Sequence, residues 1–107
     1  LCNTIQNVVG VWVFRDTDLI SYTVKPGFPS PNASEQKKMF VQAQMMVSMA
    51  LTNQEMYGKL NYVGTSFGNA DCYLFPLEEK GAILAAACIR PYSIETITKA
   101  VSVMVVL

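Results

Sequence analysis

The chain contains no histidine, and that absence removes most of the familiar catalytic constellations. Without an imidazole there is no Ser-His-Asp or Cys-His pair and no histidine metal ligand. Cysteine is nearly as scarce: Cys2, Cys72 and Cys88 are an odd number with no CxxC spacing. Two of them sit among strand-like residues, so buried thiols in a reducing cytoplasm fit better than a disulfide frame. Cys72 and Cys88 could bring two thiolates together, but a third and fourth metal ligand are not evident. Charged residues make up only 15% of the chain, eight basic against eight acidic, which leaves no nucleic-acid footprint. No apolar run approaches the roughly eighteen residues of a membrane span, and no signal peptide is visible. The glycine-flanked stretch Gly64-Thr-Ser-Phe-Gly68 lacks the GxxxxGK[ST] phosphate cradle and reads as a β-turn. Glu78 and Glu79 are paired carboxylates in a loop, read as solvated rather than catalytic. The only arginines, Arg15 and Arg90, each stand at a strand end, where exposed charge is ordinary. Either could hold a carboxylate or a phosphate, but nothing supports an arginine-finger role. These absences imply no enzyme, no cofactor and no metal.

What the chain does have is a long helix. Asn32 to Tyr57 holds five of the six methionines (Met39, Met45, Met46, Met49, Met56) and no internal Gly or Pro. Asn32 can accept from the free amides of a first turn, and Glu35, three residues on, can reach back. At about 100° per residue, Met39, Phe40, Ala43, Met46, Val47, Ala50 and Leu51 share one broad face, enough to cover a sheet. A second row, Val41, Met45, Met49 and Met56, lies largely on the other side. A helix packed on one side of a small domain needs only one apolar face. The second row therefore reads either as a fully buried helix or as a surface awaiting a partner. Methionine suits the latter, because its unbranched thioether repacks against different shapes.

In chain order, Leu1, Ile5 and Val8/Val9 have helical spacing, so residues 1–9 read as a first helix ended by Gly10. Val11 to Phe14, the turn Asp16-Thr17-Asp18 and Leu19 to Val24 read as a β-hairpin. Lys25 to Pro31 (KPGFPSP) can join neither a helix nor a sheet interior and reads as a stiff crossing to the long helix. Gly58 is the expected helix stop. Leu60 to Phe67, Cys72 to Leu77 and Ala82 to Ile89 read as three strands. The last is almost wholly apolar, as for a strand buried on both sides. Pro76 lacks an amide hydrogen, so its strand should end or bulge there. Ser93 caps a final helix with Ile94, Ile97, Val101 and Met104 facing inward. The chain begins without Met and stops inside the apolar run Val103 to Leu107, so both ends read as trimmed. Residues 1–107 form one domain of the α+β class, a single five-stranded antiparallel sheet with a long central helix and terminal helices, ordered α-β-β-α-β-β-β-α.

That order resembles the roadblock / dynein light chain (roadblock/LC7) family. So do the short strand Gly10 to Phe14 (GVWVF) meeting a charged turn, and the apolar strand followed by Pro91 and a C-terminal helix. The resemblance implies a roadblock/profilin-like fold that pairs with a second copy or with another roadblock domain. The strand after the long helix, Lys59 to Phe67, would join two sheets across a two-fold axis while the long helices lie side by side. Val41, Met45, Met49, Met56, Leu60, Tyr62 and Gly64 would form that interface. It further implies a cytoplasmic, non-catalytic scaffold or regulator of a Ras-like small GTPase, or a dynein subunit. The Pro-rich loop before the long helix departs from the family pattern. A small-molecule sensor of PAS or GAF type is the alternative, and it needs a pocket with a few convergent polar groups. The Ala-rich strand and Phe67, Tyr73 and Phe75 suggest a filled interior instead, whereas a large enclosed cavity would favour the sensor.

Overall fold

The most apolar strand of the sequence occupies the middle of the sheet. A computed structural model of the chain describes residues 5–77 and 81–106, with side chains through residue 103. Its elements are β1 (Val8–Arg15), β2 (Asp18–Val24), α1 (Ala33–Leu51), α2 (Gln54–Tyr57), β3 (Val63–Ser66), β4 (Asp71–Pro76), β5 (Ala82–Cys88) and α3 (Ile94–Val106). They form one antiparallel five-stranded sheet in the order β2-β1-β5-β4-β3. Ala82, Ile83, Leu84, Ala86 and Cys88 are all buried, because β5 is covered on both faces.

One face packs Val8, Val11, Phe75, Leu84, Ala86 and Cys88 against Ile97 and Val101 of α3. The other packs Phe14, Leu74 and Ile83 against Phe40, Ala43 and Val47 of α1. There the Phe14 and Phe40 rings stack with centroids 4.1 Å apart. Burying each Val, Leu, Ile or Phe side chain among these contributes about 1.5–3 kcal/mol, so these two layers carry most of the hydrophobic stabilisation. Beside them, the Trp12 ring lies over Gly10 so closely that a Cβ there would sit 2.5 Å from its Cη2. The Trp12 indole N–H is buried with no hydrogen-bond partner among the described residues.

Three readings need correction. Residues 5–7 form a turn, and Val8 and Val9 belong to β1, so the first helix is not found there; residues 1–4 lie outside the described residues. The β-branched pair takes its conformation from cross-strand bonding, with Val8 opposite Cys88, and this overrides the helical spacing. Gly10, read as a helix stop, is an internal strand residue. The long helix is also interrupted. Its start is as expected: Asn32 Oδ1 accepts from the Glu35 amide at 2.8 Å, and Glu35 Oε1 accepts from the Asn32 amide at 3.1 Å. At Thr52-Asn53, however, the Thr52 hydroxyl donates to the Met49 carbonyl at 2.7 Å and the Asn53 amide to Ala50 at 3.1 Å, closing α1 before α2 begins. Short polar side chains compete in this way for helix backbone groups. Gly58, at φ 90°, ends α2. Finally, β3 is shorter than Leu60 to Phe67, because the chain crosses the sheet margin before it pairs: Leu60 packs on the α1 face, while the Tyr62 ring meets Tyr73 and Phe75.

Two further readings hold. Pro76 is the last residue of β4, and the Ser93 hydroxyl accepts from the Thr96 amide at 3.2 Å to cap α3. Glu78 and Glu79 lie outside the described residues, as do Cys2 and the Met104 side chain.

Candidate interaction surface

The outward side of α1 is apolar where a surface helix is ordinarily polar. Met45 is 61% exposed, Met49 71% and Met56, on α2, 77%, with Val41 at 46%. The α1 residues Val41, Met45 and Met49 project away from the buried line Phe40, Ala43, Val47. Scattered exposed apolar residues are normal, but aligned ones mark contact surfaces. The broad face is narrower than its spacing suggested, since Met39, Met46 and Leu51 are also exposed at its margins.

A second feature is the sheet edge at β3. Its four residues pair with β4 through Val63↔Leu74, Gly64↔Tyr73, Thr65↔Cys72 and Ser66↔Asp71, and among the described residues no strand lies on the other side. Such an edge offers unpaired amides and carbonyls to another strand. Of the residues expected at an interface, Val41, Met45, Met49, Met56, Tyr62 and Gly64 are accessible, while Leu60 is half-buried in the domain's own core. Gly64 sits beneath a neighbour: a Cβ there would meet the Tyr73 ring at 3.0 Å.

Behind β3 lies a polar knot that the sequence reading did not assemble. Asp71, at the start of β4, is the buried carboxylate of the described residues. Its Oδ1 accepts from the Ser66 hydroxyl at 2.6 Å and from Arg90 Nη1, and its Oδ2 accepts from the Tyr92 hydroxyl at 2.6 Å. The Tyr92 proton being spent on Asp71, the Tyr73 hydroxyl donates to Tyr92. Arg90 also reaches the Phe67 carbonyl at 3.2 Å and the Gly68 carbonyl at 2.8 Å. The Ser66 bond first, then Tyr92 and Arg90, hold the Asp71 carboxyl below its ordinary pKa, against the opposing effect of burial. Burial first, then the bond to Asp71, pushes the Tyr92 phenol above the usual range. Arg90, read as an ordinary strand-end charge, is thus an ion-pair partner. Asp71 was not singled out at all. The available signal was an Asp opening one strand beside an Arg just past the end of another, which becomes informative only once Asp71 is known to face Cys88.

Cys72 and Cys88 are thiols on adjacent strands, Cys72 opposite Ala87 and Cys88 opposite Asp71. Burial first, and the Asp71 charge second, push the Cys72 thiol up, which disfavours the reactive thiolate. Among the described residues no three His, Cys, Asp or Glu side chains gather as a metal site would need. No described helix is long and apolar enough to cross a membrane. A groove of about 820 Å³ runs between α1, the β4–β5 end of the sheet and α3, with Val47, Leu60, Phe75 and Val101 in its walls. Among the described residues it is partly open to solvent.

No protein-family model matches this chain, and no curated protein matches it in sequence. Solved structures define its class: it has the fold of roadblock/LC7 domains. The roadblock/LC7 domain from Streptomyces avermitilis superposes with a TM-score of 0.75 over 96% of this chain and 83% of that one, at 11% identity. Two particular proteins from Myxococcus xanthus are also similar. MglB gives 0.68 over 92% of this chain and 77% of its own at 9% identity, and MglC gives 0.59 over 96% and 85% at 10% identity. At such identities the likeness is one of fold, and it agrees with the resemblance carried by the element order.

Proposed function

We propose that this chain is a non-catalytic, dimeric interaction module of the roadblock type, which scaffolds or regulates a Ras-like small GTPase in the cytoplasm. The observation that carries the reading is the exposed row Val41, Met45 and Met49 on α1, with Met56 exposed on α2, in a fold whose β3 edge is also open among the described residues. One contact with a second roadblock domain would cover both, β3 pairing across a two-fold axis and the α1 helices lying side by side. The partner is a second copy of this chain or a different roadblock subunit. A similar solved structure is MglB in a tetrameric arrangement, which supports assembly as a property this fold tolerates. The GTPase partner rests on the family resemblance.

Light scattering coupled to gel filtration tests the assembly. A mass twice 11.8 kDa at tens of micromolar is expected. The monomer mass throughout would overturn it. Binding of a purified Ras-like GTPase, loaded in turn with GDP and a GTP analogue, tests the second half of the reading.

A further inference from the structure

Among the described residues β3 has four residues and one neighbouring strand, and only its Val63 packs on a hydrophobic layer, so little of its order comes from there. Short edge strands of this kind open readily. The polar knot compensates at two points. At the outer end, Ser66 is bonded to Asp71, and Arg90 grips the carbonyls of Phe67 and Gly68 in the following turn. In the middle, the Tyr73 ring covers Gly64, and its hydroxyl is tied through Tyr92 to the same carboxylate. Gly64 brings no side chain of its own, so that ring is its cross-strand contact. The anchor is itself fixed, because Arg90 and Tyr92 flank Pro91, whose carbonyl accepts from Asn7 Nδ2 at 2.6 Å.

We propose that Asp71, Arg90 and Tyr92 are positioning residues for the β3 edge: they hold it in the extended, correctly set conformation that a second strand can join. The inference rests on the dimer reading above, in that β3 is the edge to be joined. It adds that assembly depends on three side chains that lie behind the interface rather than in it. Arg90 is required as a planar fork, since one guanidinium spans the carboxylate and both turn carbonyls, whereas a lysine ammonium could serve the carboxylate alone.

Hydrogen exchange on wild type, Asp71→Asn, Arg90→Lys and Tyr92→Phe, alongside each variant's dimer dissociation constant, tests this. The expected result is a roughly tenfold faster exchange of the β3 amides bonded to β4, and a similar weakening of the dimer, with β1 and β5 as protected as in wild type. Arg90→Lys should fail to restore β3 even though it keeps the charge. Unchanged β3 exchange in all three variants overturns the proposal. So does a uniform loss of protection in every strand, which would make the knot a general stabiliser. Should Asp71→Asn fail to fold, Tyr92→Phe, which removes one hydroxyl, gives the same reading. A wild type that is monomeric at every concentration refutes the dimer reading, while the β3 exchange still decides whether the knot orders the strand.

Discussion

At the scale of single residues, buried Asp71 and half-buried Tyr92 have opposite electrostatic character. Asp71 is held ionised, its folded pKa lying below the ordinary value of 3.8. A group with a lowered folded pKa stabilises the fold at pH above the unfolded value, and that contribution is lost as pH falls through the folded one. Tyr92 is held neutral, its folded pKa raised above 10.0, so its contribution is complete below pH 10 and is lost as pH climbs beyond it. Stability should therefore fall on the acid side as Asp71 takes up its proton, and on the alkaline side as Cys72 and then Tyr92 lose theirs. Urea titrations at a series of pH values should show Asp71→Asn with a shallower acid limb, and Tyr92→Phe with a shallower alkaline one. Gly10 and Trp12 make the neutral counterpart. A methyl group at Gly10 would be forced into the Trp12 ring, so Gly10→Ala should cost about 1–3 kcal/mol by overpacking. In a Trp12→Leu background the same substitution should cost much less, a coupling that a double-mutant cycle reads directly.

At the scale of elements, the central test is Met45→Glu combined with Met49→Glu. Burying one Met side chain contributes about 1.5–3 kcal/mol, so four across a two-fold interface give roughly 6–12 kcal/mol as an upper bound. Both residues point away from the core, so the circular dichroism spectrum should stay native while the mass falls to that of a monomer. A collapsed spectrum would mean that the row supports its own domain. The elements also show what was legible in the sequence. The capping box at Asn32, the doubly buried Ala82–Cys88 and the Ser93 cap could be read because local chemistry and tertiary placement agree there. Val8 and Val9 could not, because Val8 is set by pairing with Cys88, eighty positions away, and Val9 by the bond its carbonyl accepts from the Lys25 amide. The break at Thr52-Asn53 was hidden for a different reason: neither residue is a strong helix breaker, and a side-chain bond from Thr52 acts together with a tightened backbone bond from the Asn53 amide. The knot was the least legible feature, since Ser66, Asp71, Tyr73, Arg90 and Tyr92 converge only after three strands have been set in register.

At the scale of the whole molecule, the two margins of the sheet are unlike. β3 is straight and fully matched to β4, whereas β2 departs from register: Ser21 faces Val13 and Leu19 faces Phe14, leaving Ile20 opposite no residue of β1. Such an extra residue bends a strand and disturbs the ladder it would offer to a newcomer. If β3 is consumed in an isologous contact, both outer rims of the joined sheet are this irregular strand. Isologous pairing closes on itself, while a heterologous edge-to-edge contact would repeat without limit. In that assembly the bulge at Ile20 would act as a chain terminator. A concentration series extended to the millimolar range should level off at two subunits, with no fibrous, thioflavin-positive material on prolonged incubation.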